Sequence, residues 1–176
     1  VRNTLSLHDA LPISLNSWIT DSAAAVTALA TGEKTYNGVI SVANVTDRGA
    51  VMGYENATMY AVPLKPILEM AEEAGKATGV ITTTRITHAT PAGYYAHSAD
   101  RDWENEIAEQ CIESDMEVAM GGGASKFSFD NRSLLDEAVP LGWTLVRNES
   151  ELMAIDPAAT ERLLGIFTDS HMSYEL

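Results

Sequence analysis

A chain of 176 residues, 45% hydrophobic and 20% charged, sets 25 acidic side chains against 11 Lys and Arg, for a formal charge of −14. The length suggests one domain with a sizeable core, the hydrophobicity excludes a disordered chain, and the acidity without any basic cluster excludes a surface for duplex nucleic acid or anionic membrane. No run of about 18 apolar residues offers a membrane span, and the single cysteine, Cys111, has no internal disulfide partner.

Residues 1–13 lack the basic start, apolar core and small-residue cleavage site of a secretory signal. Their run N-T-L-S-L-H-D-A-L-P-I resembles a translated sequencing adapter, so the segment is set apart as foreign together with its adjacent His8 and Asp9. The natural polypeptide then begins near Ser14. Residues 21–31 predict a helix, with Asp21 and Ser22 at its start and Gly32 at its carboxyl cap. Residues 35–61, rich in Asn, Gly, Thr and Val without helical period, predict irregular chain with short strands or a hairpin.

A helix over 64–74 with Ile67, Leu68 and Ala71 inward is followed by a β-branched run over 78–84 that reads as a buried strand. Residues 85–103 read as a polar loop outside the core. Beyond it the pattern alternates: helix 104–113, with Ile107 and Cys111 on one face, then strand 116–120 running into Gly121, Gly122 and Gly123. Helix 133–138, strand 143–146, helix 149–154 and strand 163–167 complete it. Four helix-then-strand units predict an α/β fold, a largely parallel sheet with helices on both faces. Ligands of such sheets lie beyond the carboxyl ends of the strands, where the 85–103 loop and the triple glycine fall.

Several residues in this frame carry chemistry. T-D-S-A-A at 20–24 is first of all an ordinary capped helix start. It is also a place where a serine meets unpaired N–H groups and the positive end of a helix dipole, which suits a phosphate. The Ser22 hydroxyl remains a weak nucleophile until a base or metal activates it. No G-x-S-x-G elbow surrounds any serine, against an esterase of the α/β-hydrolase type. The triple glycine matches neither phosphate-cradling signature and reads as a tight turn after a strand. His88 and Thr90 could contact a hard metal ion, though a spacing of two has almost no specificity. Arg101, between Asp100 and Asp102, is either a solvated surface group or a planar fork for two phosphate oxygens.

The wording and order of these pieces resemble the alkaline phosphatase family. W-x-T-D-S-A-A-A-x-T-A-L-A-T-G at 18–32 is similar to the family's nucleophile segment, and K-T-Y-N-G at 34–38 to its continuation. I-L-E-M-A-E-E-A-G-K-A-T-G at 67–79, T-T-T-R-I-T-H-A-T-P-A at 82–92, Y-A-H-S-A-D-R-D-W at 95–103, M-G-G-G at 120–123 and L-L-G-I-F at 163–167 follow in the family's order. The resemblance spans 14–176 and marks that stretch as a partial catalytic domain, with amino-terminal and carboxyl-terminal parts missing.

The resemblance implies hydrolysis of phosphate monoesters through a phosphoserine on Ser22, which also touches metal, with Arg101 binding the phosphate and Asp21 orienting Arg101. It implies two zinc ions about 4 Å apart and one magnesium ion in the intact enzyme. Thr90 matches a magnesium ligand, and His88 a position whose contact to magnesium runs through water. The family's other metal ligands, an aspartate of an amino-terminal strand and carboxylates and histidines of the carboxyl-terminal half, have no counterpart here. His171, the one later histidine, lacks an aspartate partner in the family's spacing. The chain alone is therefore expected to be inert. A homodimer and a periplasmic, secreted or membrane-anchored location are likewise implied only by the resemblance. Two other readings stand beside it: a metal-independent serine hydrolase, which needs a histidine base for Ser22, and a non-enzymatic α/β binding module. Cys111 reads as a core residue and not as a reactive thiol.

Overall fold

The computed structural model describes residues 14–43 and 62–173. Residues 1–13, with His8 and Asp9, lie outside the described residues, as do residues 44–61 of the expected irregular stretch.

The first helix, α1 (Ser22–Thr31), starts where its sequence demands. Asp21 is in extended conformation and accepts the Ala24 N–H on its side chain, and Gly32 ends the helix with its own N–H on the Ala28 carbonyl. The alanines allow close packing: Ala23, Ala24, Val26 and Ala30 are buried. The chain then passes through β1 (Val42–Ala43), which pairs antiparallel with β2 (Val62–Pro63). Strand β1 falls inside the stretch expected to be irregular with short strands, and its partner β2 begins just after it.

Helix α2 (Ile67–Glu73) is shorter than predicted because Pro66, extended at φ −73° and ψ 160°, stands as its cap. Leu68 points inward, whereas Ile67 is 60% exposed, contrary to the expected apolar face. Strand β3 (Gly79–Arg85) follows, then the short α3 (Ala89–Ala92), α4 (Glu104–Glu113) and β4 (Val118–Gly122). A two-stranded ribbon of β5 (Ser128–Phe129) and β6 (Arg132–Ser133), which the periodicity missed, leads into α5 (Leu134–Ala138), capped by Ser133. The chain closes with β7 (Trp143–Val146), α6 (Glu149–Met153) and β8 (Arg162–Ile166).

The helix-then-strand alternation produces the predicted parallel sheet, in the order β3-β4-β8-β7, flanked by helices. Ala119 and Leu164 of the central strands are fully buried with Ile107 and Cys111 of α4, Phe127 and Leu134. Trp143 joins this core and donates its indole N–H to the Ile112 carbonyl at 2.8 Å. Among the described residues no helix is long and apolar enough to cross a membrane.

Three readings need correction. Strand β3 is an edge strand and not a buried one: Gly79, Ile81 and Thr83 are exposed, Ile81 to 72%, and among the described strands only β4 pairs with it. The 85–103 stretch is not a polar loop outside the core. Ile86, Thr87, Ala89, Ala92, Tyr95 and Ala96 are all buried, and the Tyr95 hydroxyl closes the turn by donating to the Ile86 carbonyl at 2.7 Å. Finally, Gly121 and Gly122 belong to β4 itself, and only Gly123, at φ 103°, makes the turn. A Cβ on Gly122 would strike the Ser170 carbonyl and come to 2.5 Å from the Thr168 hydroxyl, so the glycine lets the segment after β8 cross over the strand end.

Candidate functional site

Ser22 occupies the first turn of α1, half-buried, with its hydroxyl oxygen turned to Arg101. Arg101 Nη1 donates to Ser22 Oγ at 2.7 Å and to Asp21 Oδ2 at 3.2 Å. Asp21 thus has two tasks. One carboxylate oxygen caps the helix, and the other receives both Arg101 and the Gly38 N–H at 2.9 Å. All three residues singled out as nucleophile, phosphate ligand and orienting group meet, although Ser22 and Arg101 lie 79 positions apart.

Arg101 reaches the cleft because its loop is tied down at several points. Ser98 and Ile40 exchange backbone hydrogen bonds of 2.9 Å, and the Arg101 N–H donates to the Gly38 carbonyl at 2.7 Å. The side-chain amide of Gln110 grips the backbone of His97 on both sides, accepting its N–H at 2.8 Å and donating to its carbonyl at 3.1 Å. With the loop held so, the flanking Asp100 and Asp102 do not draw the guanidinium into solvent.

His88 comes after β3 and caps α3. Its Nε2 faces Arg101 Nη2 at 3.1 Å, while its Nδ1 is buried without a partner among the described residues. Burial first, then the positive charge of Arg101 and Arg85, lowers its pKa and holds the ring neutral. Thr90, two positions on in α3, is exposed, and no hydrogen bond joins its hydroxyl to the described residues.

A second layer escaped the sequence reading. Arg85, at the end of β3, grips the Glu104 carboxylate with two parallel bonds of 2.7 and 2.8 Å. Glu104 also accepts the Thr87 hydroxyl at 2.6 Å and lies 3.5 Å from Lys126. Burial pushes the Glu104 pKa up, but the bonds from Arg85 and Thr87 outweigh it and leave the group below its usual value. The other face of Arg85 meets His171, with Nη1 2.7 Å from Nε2, and the His171 ring stands edge-on to His88 with centroids 5.6 Å apart. The lone late histidine therefore has a place beside the site, brought there by the segment crossing the end of β4. A strand-terminal arginine and a helix-first glutamate were the available signals, and neither is specific.

The donors present do not make a metal centre by themselves. Among the described residues no group of three or more His, Cys, Asp or Glu side chains is gathered as metal ligands require. Ser22, His88 and Thr90 supply two hydroxyls and an imidazole, and the imidazole's Nε2 is already engaged by Arg101.

A parallel α/β sheet with a serine, an arginine and a histidine converging beyond its strand ends defines an α/β protein of the alkaline-phosphatase-like fold. The chain matches the alkaline phosphatase family over residues 7–176. It is 33% identical to the tissue-nonspecific alkaline phosphatase of Rattus norvegicus, over 92% of this chain and 37% of that protein. Among solved structures, the alkaline phosphatase of Thermus thermophilus superposes with a TM-score of 0.77 at 38% identity, covering 92% of this chain and 31% of that one. The alkaline phosphatase of the Antarctic bacterium TAB5 gives a TM-score of 0.75 at 31% identity, covering 91% and 43%. The chain belongs to the alkaline phosphatase family. It spans from 31% to 43% of the length of these relatives.

Proposed function

We propose that this chain is the nucleophile-bearing part of a phosphate monoester hydrolase that works through a phosphoserine on Ser22. The observation that carries the reading is the 2.7 Å bond from Arg101 Nη1 to Ser22 Oγ at the first turn of α1. A guanidinium there has further donors for the non-bridging oxygens of a phosphate, and the helix terminus adds oriented N–H groups. In the first in-line step the Oγ–P bond forms as the P–O bond to the leaving alcohol breaks; in the second, water displaces Ser22 and releases inorganic phosphate. Asp21 keeps Arg101 aimed throughout.

None of the described residues is placed to activate Ser22. Among the described residues no histidine bonds to Ser22 Oγ, and His88 Nε2 is turned to Arg101. That arrangement disfavours a metal-independent serine hydrolase, which needs such a base. Metal-dependent activation is the family's expectation, with two zinc ions and one magnesium ion in the intact enzyme, and most of their ligands come from the rest of the complete protein. Residues 14–176 are then a partial catalytic domain, and the chain by itself is inert. A homodimer and a periplasmic, secreted or membrane-anchored location complete the proposal for the whole protein.

The test is expression of the full reading frame that encodes this segment. Hydrolysis of p-nitrophenyl phosphate that EDTA abolishes, and that Ser22→Ala and Arg101→Ala reduce by a hundredfold or more, supports the reading. Full activity in Ser22→Ala overturns it in favour of another nucleophile, and no turnover by the complete protein favours a binding module. EDTA-sensitive turnover by the 176 residues alone overturns the proposal of an inert segment.

A further inference from the structure

The direct bond between Arg101 and Ser22 cannot by itself set their alignment, because an arginine side chain is long and has many rotamers. The two backbones must be registered against each other, and the turn at Asn37 and Gly38 performs this. Asn37 uses its side-chain amide as a two-point clamp on the segment leading to Ser22: Oδ1 accepts the Asp21 N–H at 3.1 Å and Nδ2 donates to the Ile19 carbonyl at 3.1 Å. The partners are an N–H and a carbonyl, so the amide has one satisfactory orientation. The next residue faces both ways. Gly38 gives its N–H to Asp21 Oδ2 at 2.9 Å and accepts the Arg101 N–H on its carbonyl at 2.7 Å. Its φ of 86° is in the left-handed region, where glycine carries no penalty, and this conformation aims the two groups at two different segments.

We infer that Asn37 is a positioning residue, which fixes the backbone bearing Ser22 against the backbone bearing Arg101 through Gly38 and so sets the approach of Oγ to a phosphate held by Arg101. The inference rests on the phosphatase reading above. A carboxamide is the side chain that can do this. Aspartate has no donor for the Ile19 carbonyl, serine cannot span both groups, and glutamine is a methylene too long. Asn37 itself is held from behind, its own N–H donating to Asn16 Oδ1 at 2.9 Å.

The experiment is a double-mutant cycle in the complete protein. Displacement of a reacting atom by about 1 Å costs on the order of a hundredfold in rate. Asn37→Ala is therefore expected to lower kcat/KM for p-nitrophenyl phosphate by about 10- to 100-fold. In the Arg101→Ala background, where there is no aligned phosphate to lose, the same substitution should lower it by less than about threefold. A purely structural contribution would lower both backgrounds alike, and that result overturns the inference, as does unchanged kcat/KM in Asn37→Ala. Should Asn37→Ala not fold, the isosteric Asn37→Asp keeps an acceptor for the Asp21 N–H without the donor to the Ile19 carbonyl and is read in the same cycle. The reading beneath is checked separately: a parent protein whose hydrolysis survives Ser22→Ala refutes the phosphoserine, whatever Asn37 does.

Discussion

Arg101 and His88 face each other across 3.1 Å, and the guanidinium, which has only protons to offer, obliges His88 to keep Nε2 bare. The neutral ring must then carry its proton on Nδ1, the buried atom that has no partner among the described residues. Nitrogen-detected NMR of the ¹⁵N-histidine-labelled chain at neutral pH is expected to show His88 as the Nδ1–H tautomer. In Arg101→Ala that constraint disappears, and the more common Nε2–H form should gain population. An Nε2–H ring in the parent chain would contradict the geometry.

Asp21 caps α1 and also bonds Gly38 and Arg101, so its two oxygens serve stability and alignment separately. Asp21→Ala should cost about 1 kcal/mol from the lost cap, with a further decrease as Gly38 and Arg101 lose their acceptor. Asp21→Asn keeps one acceptor for the Ala24 N–H and should recover most of the cap contribution. Urea denaturation of the three proteins followed by far-UV circular dichroism measures the difference.

Glu104 gives a pH dependence whose sign is fixed. Its pKa in the folded chain lies below the ordinary carboxylate value, the bonds from Arg85 and Thr87 outweighing burial. The associated stability is fully present above the unfolded-state pKa and is lost as the pH falls through the folded-state value. The parent chain is therefore expected to lose denaturation midpoint on acidification below the ordinary range, and Glu104→Gln to show a flatter acid limb. The same substitution should cost about 1.5–3 kcal/mol at neutral pH, because Arg85 loses a charged partner.

Cys111 is fully buried on the inner face of α4, and burial pushes its thiol up to about 12. An aromatic disulfide reagent at pH 8 should leave the folded chain unlabelled and titrate one thiol per chain in denaturant. Rapid labelling of the native chain would show that α4 packs otherwise.

Much of this architecture is legible in the amino-acid order, for reasons that differ by element. The limits of α1 follow from Asp21 and Gly32, since capping is local chemistry; α4 and β7 were equally clear, having either a strong apolar face or aromatic and β-branched residues between turns. Strand β3 was recognised as a strand but placed too deep. Composition reports that threonine and isoleucine favour extended chain, and not how many neighbours the strand will have. The meeting of Ser22, Asp21 and Arg101 is legible only through family resemblance, because no local pattern relates groups so distant in sequence, and that resemblance puts His88 toward a magnesium ion and not against Arg101. Glu104, Arg85, His171 and Asn37 were missed for the same reason: each has its meaning only through a partner brought close by the fold.

The open flank of β3 bears on how the isolated chain will behave in solution. Among the described strands only β4 pairs with β3, and although Met172 donates its N–H to the Thr83 carbonyl at 2.9 Å, the stretch around the exposed Ile81 is a template on which a second copy can lay a strand. The charge of −14 opposes that encounter by mutual repulsion between copies. Salt shortens the range of the repulsion and leaves the bare edge unchanged, so the chain keeps best in dilute, low-ionic-strength buffer, and concentrated salt brings its copies together.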